Sequence, residues 1–183
     1  VELTPRLLTL VRAARAKDLG ITVDAEEQDR LEISAKVFGD VFLNAAVDGW
    51  QGLGIAVQAY SKRAIPMLRW LRRLSEDSGR RIPVRLVKGA YWDSEIKWAQ
   101  ERGLADYPVF SRKLNTDVSY LAAMRLMITE ANAFYPQFAT HNAHTIASAR
   151  VAGGSVAFEY QRLHGMGEAL YAKLSADRPE IAC

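Results

Sequence analysis

The hydrophobic positions of the chain follow two alternating spacings. Apolar residues three or four positions apart predict helices, whereas short runs rich in β-branched and aromatic residues predict strands between them. Glycines and prolines mark the turns that separate the two kinds of segment. The predicted helices cover residues 5–19, 25–44, 62–78, 93–100, 108–134, 143–152 and 166–174. The predicted strands cover residues 21–24, 52–58, 84–88, 137–140, 156–161 and 180–183.

Individual residues predict where some of these helices begin and end. Thr4 is expected to cap the first helix, with Pro5 at its first helical position, and Asp93 is expected to cap the helix at 93–100. Gly79 is expected to end the helix at 62–78. The long helix at 108–134 is expected to bury one line of side chains, namely Val118, Leu121, Met124 and Ile128.

Alternation of six strands with helices predicts an α/β fold in one domain over residues 1–183. Each connection is long enough for the right-handed crossover between parallel strands, so the sheet is either open and doubly wound or a (β/α)8 barrel, present here with about six strands. No G-x-G-x-x-G segment follows a predicted strand, so the dinucleotide fingerprint is absent. Polar groups at the carboxyl ends of the strands favour the barrel: Asp24, Gln58, Lys88, Thr140 with His141, and Gln161.

The stretch VRLVKGAYWD at residues 84–93 combines strand-forming residues with two cations, Arg85 and Lys88. Desolvating an unpaired cation in a buried strand costs several kcal/mol of folding free energy. Two of them suggest an anionic or electron-rich ligand at the end of the strand. The alternative is an edge strand whose cations face water. The neighbours that would receive a ligand are Gly89 and Ala90, which leave space, and Tyr91 and Trp92, which offer aromatic walls.

Composition adds mainly exclusions. The net charge of +3 is spread along the chain, so nothing predicts nucleic-acid binding through this domain. The single cysteine, Cys183, rules out an internal disulfide framework and fits a reducing compartment. No apolar stretch is long enough for a spanning helix and no signal peptide is evident. Because the chain starts at Val1 rather than Met and ends in a strand-like run, we expect it to be a piece of a longer protein.

Three residue patterns leave alternatives open. His141 and His144 are spaced like a metal pair, but no Cys, Asp or Glu at ligand spacing completes a site, so no metal is predicted. Lys88 could instead form a Schiff base in a lyase or aldolase, although the nearby Arg85 favours an anionic cofactor group. Asp24 either pairs with a cation across the barrel mouth or caps the following helix. The glycine-containing loop at 161–167 is either a ligand rim or a plain connection.

Seven segments resemble the proline dehydrogenase domain of bifunctional bacterial proline utilisation A proteins. They occur in order and with compatible spacing over nearly the whole chain. The segments are DAEE (24–27), QAY (58–60), VRLVKGAYWDSEI (84–96), YPVFSRK (107–113), TDVSYL (116–121), PQFATHNAHT (136–145) and LHGMGEALY (163–171).

The resemblance implies a distorted (β/α)8 barrel that holds FAD without a Rossmann domain. It implies oxidation of L-proline to Δ1-pyrroline-5-carboxylate, with a hydride passing to flavin N5 and electrons then passing to a membrane quinone. The implied location is cytoplasmic, with peripheral contact to the inner membrane. The full protein is expected to carry a fused aldehyde dehydrogenase domain.

The resemblance also assigns roles to single residues. Arg85 is implied near flavin N5, where it would be catalytic with Asp24, and Gln58 at the pyrimidine edge. Substrate contacts are implied for Ala90, Tyr91, Leu163 and Asp24, the last in an ion-pair network. The other implied cofactor contacts are Lys88, Ser111, Thr140 and His141 along the ribityl chain, pyrophosphate and adenosine, and Gly89, Ala90, Trp92 and Gln161 elsewhere.

Three departures from the family pattern accompany the resemblance. Ser111 stands where the family usually has Thr, which keeps the hydroxyl. The family also has an earlier strand with a substrate-site lysine and a later helix with paired arginines that bind the proline carboxylate, and the chain includes neither. We therefore expect these 183 residues alone to be inactive and poorly soluble.

Overall fold

The computed structural model describes residues 2–44 and 47–177. Seven α-helices and five strands alternate within these ranges, with one short 3-10 turn at Gln28–Arg30. The helices are α1 (Leu3–Ala16), α2 (Leu31–Phe42), α3 (Ala64–Ser78), α4 (Trp92–Glu101), α5 (Lys113–Thr129), α6 (Ala143–Gly153) and α7 (Glu168–Asp177). The strands are β1 (Ile21–Val23), β2 (Leu53–Gln58), β3 (Ile82–Val87), β4 (Phe134–Ala139) and β5 (Glu159–Gln161).

The strands form a parallel sheet in chain order, β1-β2-β3-β4-β5. A doubly wound sheet reverses its strand order at a switch point, and these five strands do not. Sequential order with right-handed crossovers places the connecting helices on one face of the sheet, as in a (β/α)8 barrel. The sixth predicted strand, at 180–183, lies outside the described residues.

The two faces of the sheet differ in burial. In β3, Ile82, Val84 and Leu86 are buried, whereas the alternating Pro83, Arg85 and Val87 remain partly exposed. The same alternation occurs in β4. The apolar face therefore packs against the helices, and the other face is left open to hold polar side chains.

The core between sheet and helices is aromatic and aliphatic. Phe38 and Phe42 of α2 stack with ring centroids 5.5 Å apart. Around β5, Phe158, Tyr160 and Tyr171 form a chain of edge contacts, with centroids 5.3 and 6.4 Å apart. Burial of rings in such tilted contacts stabilises the packing of α7 on the end of the sheet.

Several predicted helix ends are wrong. Thr4 lies inside α1, which begins at Leu3 without a side-chain cap, and Asp93 lies inside α4, whose N-cap is Tyr91. In both places the helix begins one residue before the polar residue, at the exposed side chains of Leu3 and Trp92. Gly79 ends α3 with a φ of 65°, as predicted, since a left-handed residue there favours glycine.

The long predicted helix at 108–134 is shorter in the structure and rotated. It spans Lys113–Thr129, and Phe134 is the first residue of β4. Val118 is 67% exposed, so the expected buried line is wrong at this position. The side chains that α5 buries are Thr116, Tyr120, Ala123, Met124 and Met127.

Arg80, which precedes β3, forms hydrogen bonds with the connection between α2 and β2. It is 6% exposed, and its guanidinium donates to the backbone carbonyls of Phe42, Val47 and Trp50, the last two at 2.6 and 3.3 Å. The guanidinium carbon also lies 4.1 Å from the centre of the Phe42 ring. A buried cation is tolerated here because carbonyl oxygens replace its hydration.

We expect Arg80→Ala to lower the free energy of unfolding by about 3 kcal/mol, because it leaves buried carbonyls without donors. Urea denaturation measures the change. The matched control is Arg73→Ala on the exposed side of α3, which should change stability by about 0.5 kcal/mol or less. Equal losses in the two variants would contradict the assignment.

Candidate active site

The carboxyl ends of the strands meet at one large open cleft of about 1420 Å³. Parallel strands in chain order send all their βα loops to the same edge, so residues far apart in sequence come together there. The volume exceeds the range of roughly 300–1,000 Å³ typical of small-ligand pockets. The cleft brings together most of the predicted site residues: Asp24, Gln58, Arg85, Lys88, Gly89, Ala90, Tyr91, Thr140, His141, Gln161 and Leu163.

Two predicted site residues lie outside the cleft lining. Trp92 is 42% exposed, and its indole nitrogen donates to the carbonyl of Phe110 at 3.0 Å. Ser111 is exposed in the same neighbourhood, within the segment that precedes α5. Their assignment to a cofactor stays a prediction from the resemblance.

Asp24 and Arg85 form an ion pair across the ends of β1 and β3, with Nη1 and Oδ1 3.3 Å apart. Asp24 does not cap the following helix: its Oδ1 accepts a hydrogen bond from the backbone of Ala25, and the 3-10 turn starts only at Gln28. Pairing with a cation is therefore the alternative that the structure confirms. Such a partly exposed pair contributes about 1 kcal/mol or less.

Gln58 links two loops at the cleft. Its side-chain nitrogen donates to the carbonyl of Glu26 at 2.7 Å, and its side-chain oxygen accepts from the backbone of Ala90 at 3.3 Å. The residue is 5% exposed, so these backbone groups hold its amide in one orientation.

Gly89 lets the β3–α4 loop cross closely over an aromatic ring. Its φ is 133°, and a Cβ atom at this position would lie 2.5 Å from the ring of Tyr60. The backbone of Tyr60 in turn donates to the carbonyl of Lys88 at 2.8 Å. The chain requires glycine here for both conformation and space.

Lys88 and Lys113 share the carboxylate of Asp117. Lys113 donates to Oδ2 at 2.7 Å, and Lys88 contacts Oδ1. Hydrogen bonds from Lys113 and from Lys88 hold the pKa of Asp117 below its usual range. Two lysines on one carboxylate leave an excess of positive charge where α5 meets the end of β3.

The start of α6 contributes donors and acceptors to the opposite wall. Thr140 Oγ1 accepts from the backbone of Asn142 at 3.1 Å, and Asn142 caps α6 by accepting from the backbone of Thr145. His141 Nε2 accepts from the backbone of Leu163 at 3.0 Å, which ties the end of β4 to the loop after β5. The N-terminus of an eleven-residue helix thus borders the cleft, a position that favours negative charge.

His144 does not join His141. It lies past the start of α6 and lines a separate groove between α5 and α6. Across residues 2–44 and 47–177, no group of three or more His, Cys, Asp or Glu side chains could hold a metal ion.

Glu159, which the sequence patterns did not single out, is the centre of a polar network on the open face of the sheet. Its carboxylate accepts from Gln137 at 2.8 Å, from Gln161 at 2.7 Å and from the hydroxyl of Tyr135 at 3.3 Å. The register places Glu159 opposite Gln137, which in turn lies opposite Arg85. Polar residues at alternate positions of β4 and β5 were the signal that could have revealed this row.

The residues of the cleft fit a large anionic ligand. Four cations and three carboxylates line it, with two of the cations at the Lys88 and Lys113 cluster and a helix N-terminus on the facing wall. Phosphate groups bind to such cations and helix N-termini. The amide groups of Gln58 and Gln161 supply further polar contacts at the strand ends.

Comparison with known proteins places this geometry in a family. A family model described as proline dehydrogenase matches residues 1–183. The chain is 50% identical over 178 residues to the bifunctional protein PutA of Escherichia coli (strain K12), covering 95% of this chain and 14% of that protein. It is 29% identical over 151 residues to a hydroxyproline dehydrogenase of Bos taurus, covering 79% of this chain and 32% of that protein.

Solved structures agree with the sequence relatives. A structure of proline utilization A (PutA) from Bradyrhizobium japonicum matches with a TM-score of 0.97 at 51% identity, covering 100% of this chain and 19% of that chain. PutA from Bdellovibrio bacteriovorus matches with a TM-score of 0.93 at 28% identity, covering 98% and 19%. The expected fold, a partial barrel of alternating strands and helices, is confirmed.

We expect Gly89→Ala to lower the free energy of unfolding by roughly 3 kcal/mol, because the new Cβ meets the Tyr60 ring and the backbone angle is strained. Gly103→Ala is the matched control, since Gly103 has a φ of 60° but no atom within 4 Å of the place that a Cβ would occupy. It should cost about 1 kcal/mol. Urea denaturation of both variants separates crowding from backbone strain, and equal losses would refute the role of Tyr60.

Proposed function

The chain belongs to the proline dehydrogenase family, and on this premise we propose that its cleft oxidises L-proline to Δ1-pyrroline-5-carboxylate with a bound flavin. The observation that carries the proposal is the meeting of the motif residues at the strand ends, with Arg85 and Asp24 paired beside Gln58 and Lys88. The chain spans only 14% of the curated PutA protein of Escherichia coli, so the activity is proposed for the longer protein that contains it.

Proline dehydrogenases are flavoenzymes, and we propose FAD as the cofactor. The size of the cleft and its cations support a dinucleotide over a small ligand. Lys88 and Lys113, together with Thr140 and His141 near the start of α6, would hold the pyrophosphate and adenosine side. Gln58 and Arg85 would hold the ring side, and Gly89, Ala90 and Gln161 would line the space between. Trp92 and Ser111 would contact the cofactor only at its outer edge.

The bound flavin would supply the acceptor for the hydride that leaves the carbon next to the proline nitrogen. Arg85 would supply a positive charge where negative charge develops during that transfer. Asp24 restricts the orientation of the guanidinium through their ion pair. The positive charge of the guanidinium is present before the reaction, which lowers the reorganisation that the transfer would require.

The substrate pocket would lie beside this pair. Ala90 and Tyr91 leave β3 directly after Gly89, and Leu163 lies across the cleft in the loop after β5. These side chains would pack on the proline ring and exclude water from the reacting carbon, while Asp24 bounds the polar side. Placement of the substrate carbon supplies most of the catalysis, and no side chain needs to act as a covalent nucleophile.

The Schiff-base alternative lacks support in the structure. The ammonium group of Lys88 lies in an ion pair with Asp117, which also contacts Lys113. A Schiff-base lysine requires a neutral amine that is free to attack a carbonyl group. We therefore assign Lys88 to anion binding.

The partners of the whole protein are also proposals. The PutA proteins are much longer than this chain, and the name of each calls it bifunctional, which supports fusion of the proline dehydrogenase domain to an aldehyde dehydrogenase domain. We propose a quinone at the membrane as the electron acceptor, reached by peripheral contact from the cytoplasm. In the part of the chain that the structure describes, no helix is long and apolar enough to cross a membrane.

The protein that contains this chain is expected to show flavin absorbance that L-proline bleaches under anaerobic conditions. In that protein, Arg85→Met should lower the rate of bleaching about 100-fold, because one preorganised cation is lost at the site of charge development. Stopped-flow absorbance measures this rate. The reduction potential of the flavin should also become more negative in Arg85→Met, because the lost cation no longer stabilises the reduced flavin.

The control for this experiment is Arg150→Met, which removes an exposed cation from α6 away from the cleft. It should leave the rate and the potential unchanged. Absence of a flavin, or bleaching of Arg85→Met at the unsubstituted rate, would contradict the proposed function.

A further inference from the structure

A buried carboxyl group lies directly behind the cleft. Glu95, in the first turns of α4, is 4% exposed and lines a small separate cavity with Trp98 and Arg102. Its helix follows immediately on the loop that carries Gly89, Ala90 and Tyr91, and the backbone of Glu95 donates to the carbonyl of Tyr91 at 2.9 Å. Burial of a carboxyl group is costly, so its contacts need an explanation.

The main contact of Glu95 is with the loop after β1. The backbone of Gln28 donates to Glu95 Oε1 at 2.6 Å. Gln28 is itself 3% exposed, and two further polar atoms of it are engaged: Ser61 donates to its side-chain oxygen and Arg63 to its carbonyl. Glu95 thus joins α4 to a buried residue that three hydrogen bonds hold in place.

Two hydrogen bonds, one on each side, hold the loop at residues 24–27. On the cleft side, Gln58 donates to the carbonyl of Glu26 at 2.7 Å, and behind the cleft Glu95 holds the backbone of Gln28. The ion pair that this loop presents to the cleft is weak by comparison, since the Asp24 side chain is 70% exposed. The buried hydrogen bonds, rather than the ion pair, fix the loop.

We propose that Glu95 is a positioning residue: by holding Gln28, it sets the loop at 24–27 against the β3–α4 loop and so places Asp24 beside Arg85. The inference rests on the proposed function of the cleft, because Asp24 is assigned there to the proline side. Glu95 does not line the cleft but a separate small cavity behind it. It acts through the backbone of the two loops.

The surroundings of Glu95 indicate that the acceptor oxygen matters more than the negative charge. Burial raises the pKa of Glu95, the hydrogen bond from Gln28 opposes this, and the nearby carboxylates of Asp29 and Glu27 raise it further. Arg102 favours the charged form only weakly by comparison. A glutamine at this position keeps an oxygen for Gln28, whereas alanine removes it.

The raised pKa predicts how stability changes with pH. The folded protein binds a proton at Glu95 more tightly than the unfolded chain does, so this contribution to stability is greatest at low pH and is lost as pH rises through the folded-state pKa. The titratable and charged groups around Glu95 are Glu27, Asp29, Arg102 and Tyr60, together with Arg63, which lines the same cavity. Glu95→Gln should remove this part of the pH dependence, which urea denaturation at several pH values measures. An unchanged pH profile would contradict the burial argument.

The decisive experiment compares Glu95→Ala, Glu95→Gln and the control Glu101→Ala in the full protein that contains this chain. Glu101 lies on the same helix but is exposed, and it forms a long ion pair with Lys97 at 3.6 Å. Glu95→Ala should raise KM for L-proline about tenfold, while kcat changes less than about threefold, as expected for loss of one buried hydrogen bond. Glu95→Gln should restore KM, and Glu101→Ala should leave it unchanged.

Hydrogen–deuterium exchange provides a readout that does not depend on proline oxidation. In Glu95→Ala, the amides of residues 24–28 should exchange about tenfold faster, while those of α6 at 143–153 keep their rates. Uniformly faster exchange, or an unchanged KM with unchanged exchange, would overturn the positioning role. If Glu95→Ala does not fold, Glu95→Asp, which withdraws the carboxylate by one methylene, decides by the same two measurements.

The two proposals fail in distinguishable ways. Failure of L-proline to bleach a flavin in the unsubstituted protein would refute the proposed function. The proposal for Glu95 would then concern the position of the loop at 24–27 and no longer the binding of L-proline. Faster exchange confined to residues 24–28 would still support the link between Glu95 and this loop. Unchanged exchange there would overturn the link even in an active proline dehydrogenase.

Discussion

Parallel pairing of five consecutive strands forces every strand-to-helix loop to the same edge of the sheet. Asp24, Gln58, Arg85, Thr140 and Gln161 come from five different segments, yet all of them line one cleft because of this single constraint. The same pairing places an apolar face under the helices and leaves a face on which polar side chains remain in contact with water. Both the existence of the site and its polarity follow from the order and direction of the strands.

The cations at the end of β3 are tolerated because each has a carboxylate partner before any ligand arrives. Arg85 pairs with Asp24, and Lys88 shares Asp117 with Lys113. Partial exposure keeps the desolvation cost of these pairs low, and it also keeps their contribution to stability small. Their placement at the strand ends is therefore better explained by ligand binding than by folding. Arg80 differs from these two cations, because it is buried and donates to three carbonyl groups. Its role is to stabilise the connection between α2 and β2.

Prediction from sequence succeeded where a signal is local or repeated. Alternating strands and helices, the glycine at position 79, and the polar strand ends at Asp24 and Gln58 were all visible in the chain. Prediction was wrong at Thr4 and Asp93, because the helices begin at the exposed residues Leu3 and Trp92 and a polar residue near a helix start need not be its cap. It was also wrong at Val118, because mixed apolar spacing on α5 did not define which face is buried. Glu95 and Glu159 could not be identified residue by residue, since their importance depends on partners such as Gln28, 67 positions away in sequence from Glu95.

The exposed ion pair in the cleft and the buried hydrogen bonds behind it have different functions in the structure. An exposed ion pair such as Asp24–Arg85 can rearrange when a ligand enters, but for the same reason it cannot define its own geometry. Geometry has to come from groups that water does not reach, and Gln28, Ser61 and Glu95 are 3%, 4% and 4% exposed. A site that holds a ligand in a defined geometry depends in general on buried polar residues that support the groups in contact with the ligand. In this fold, Gln28 and Glu95 join the loop after β1, which carries Asp24, to α4, which follows the strand that carries Arg85.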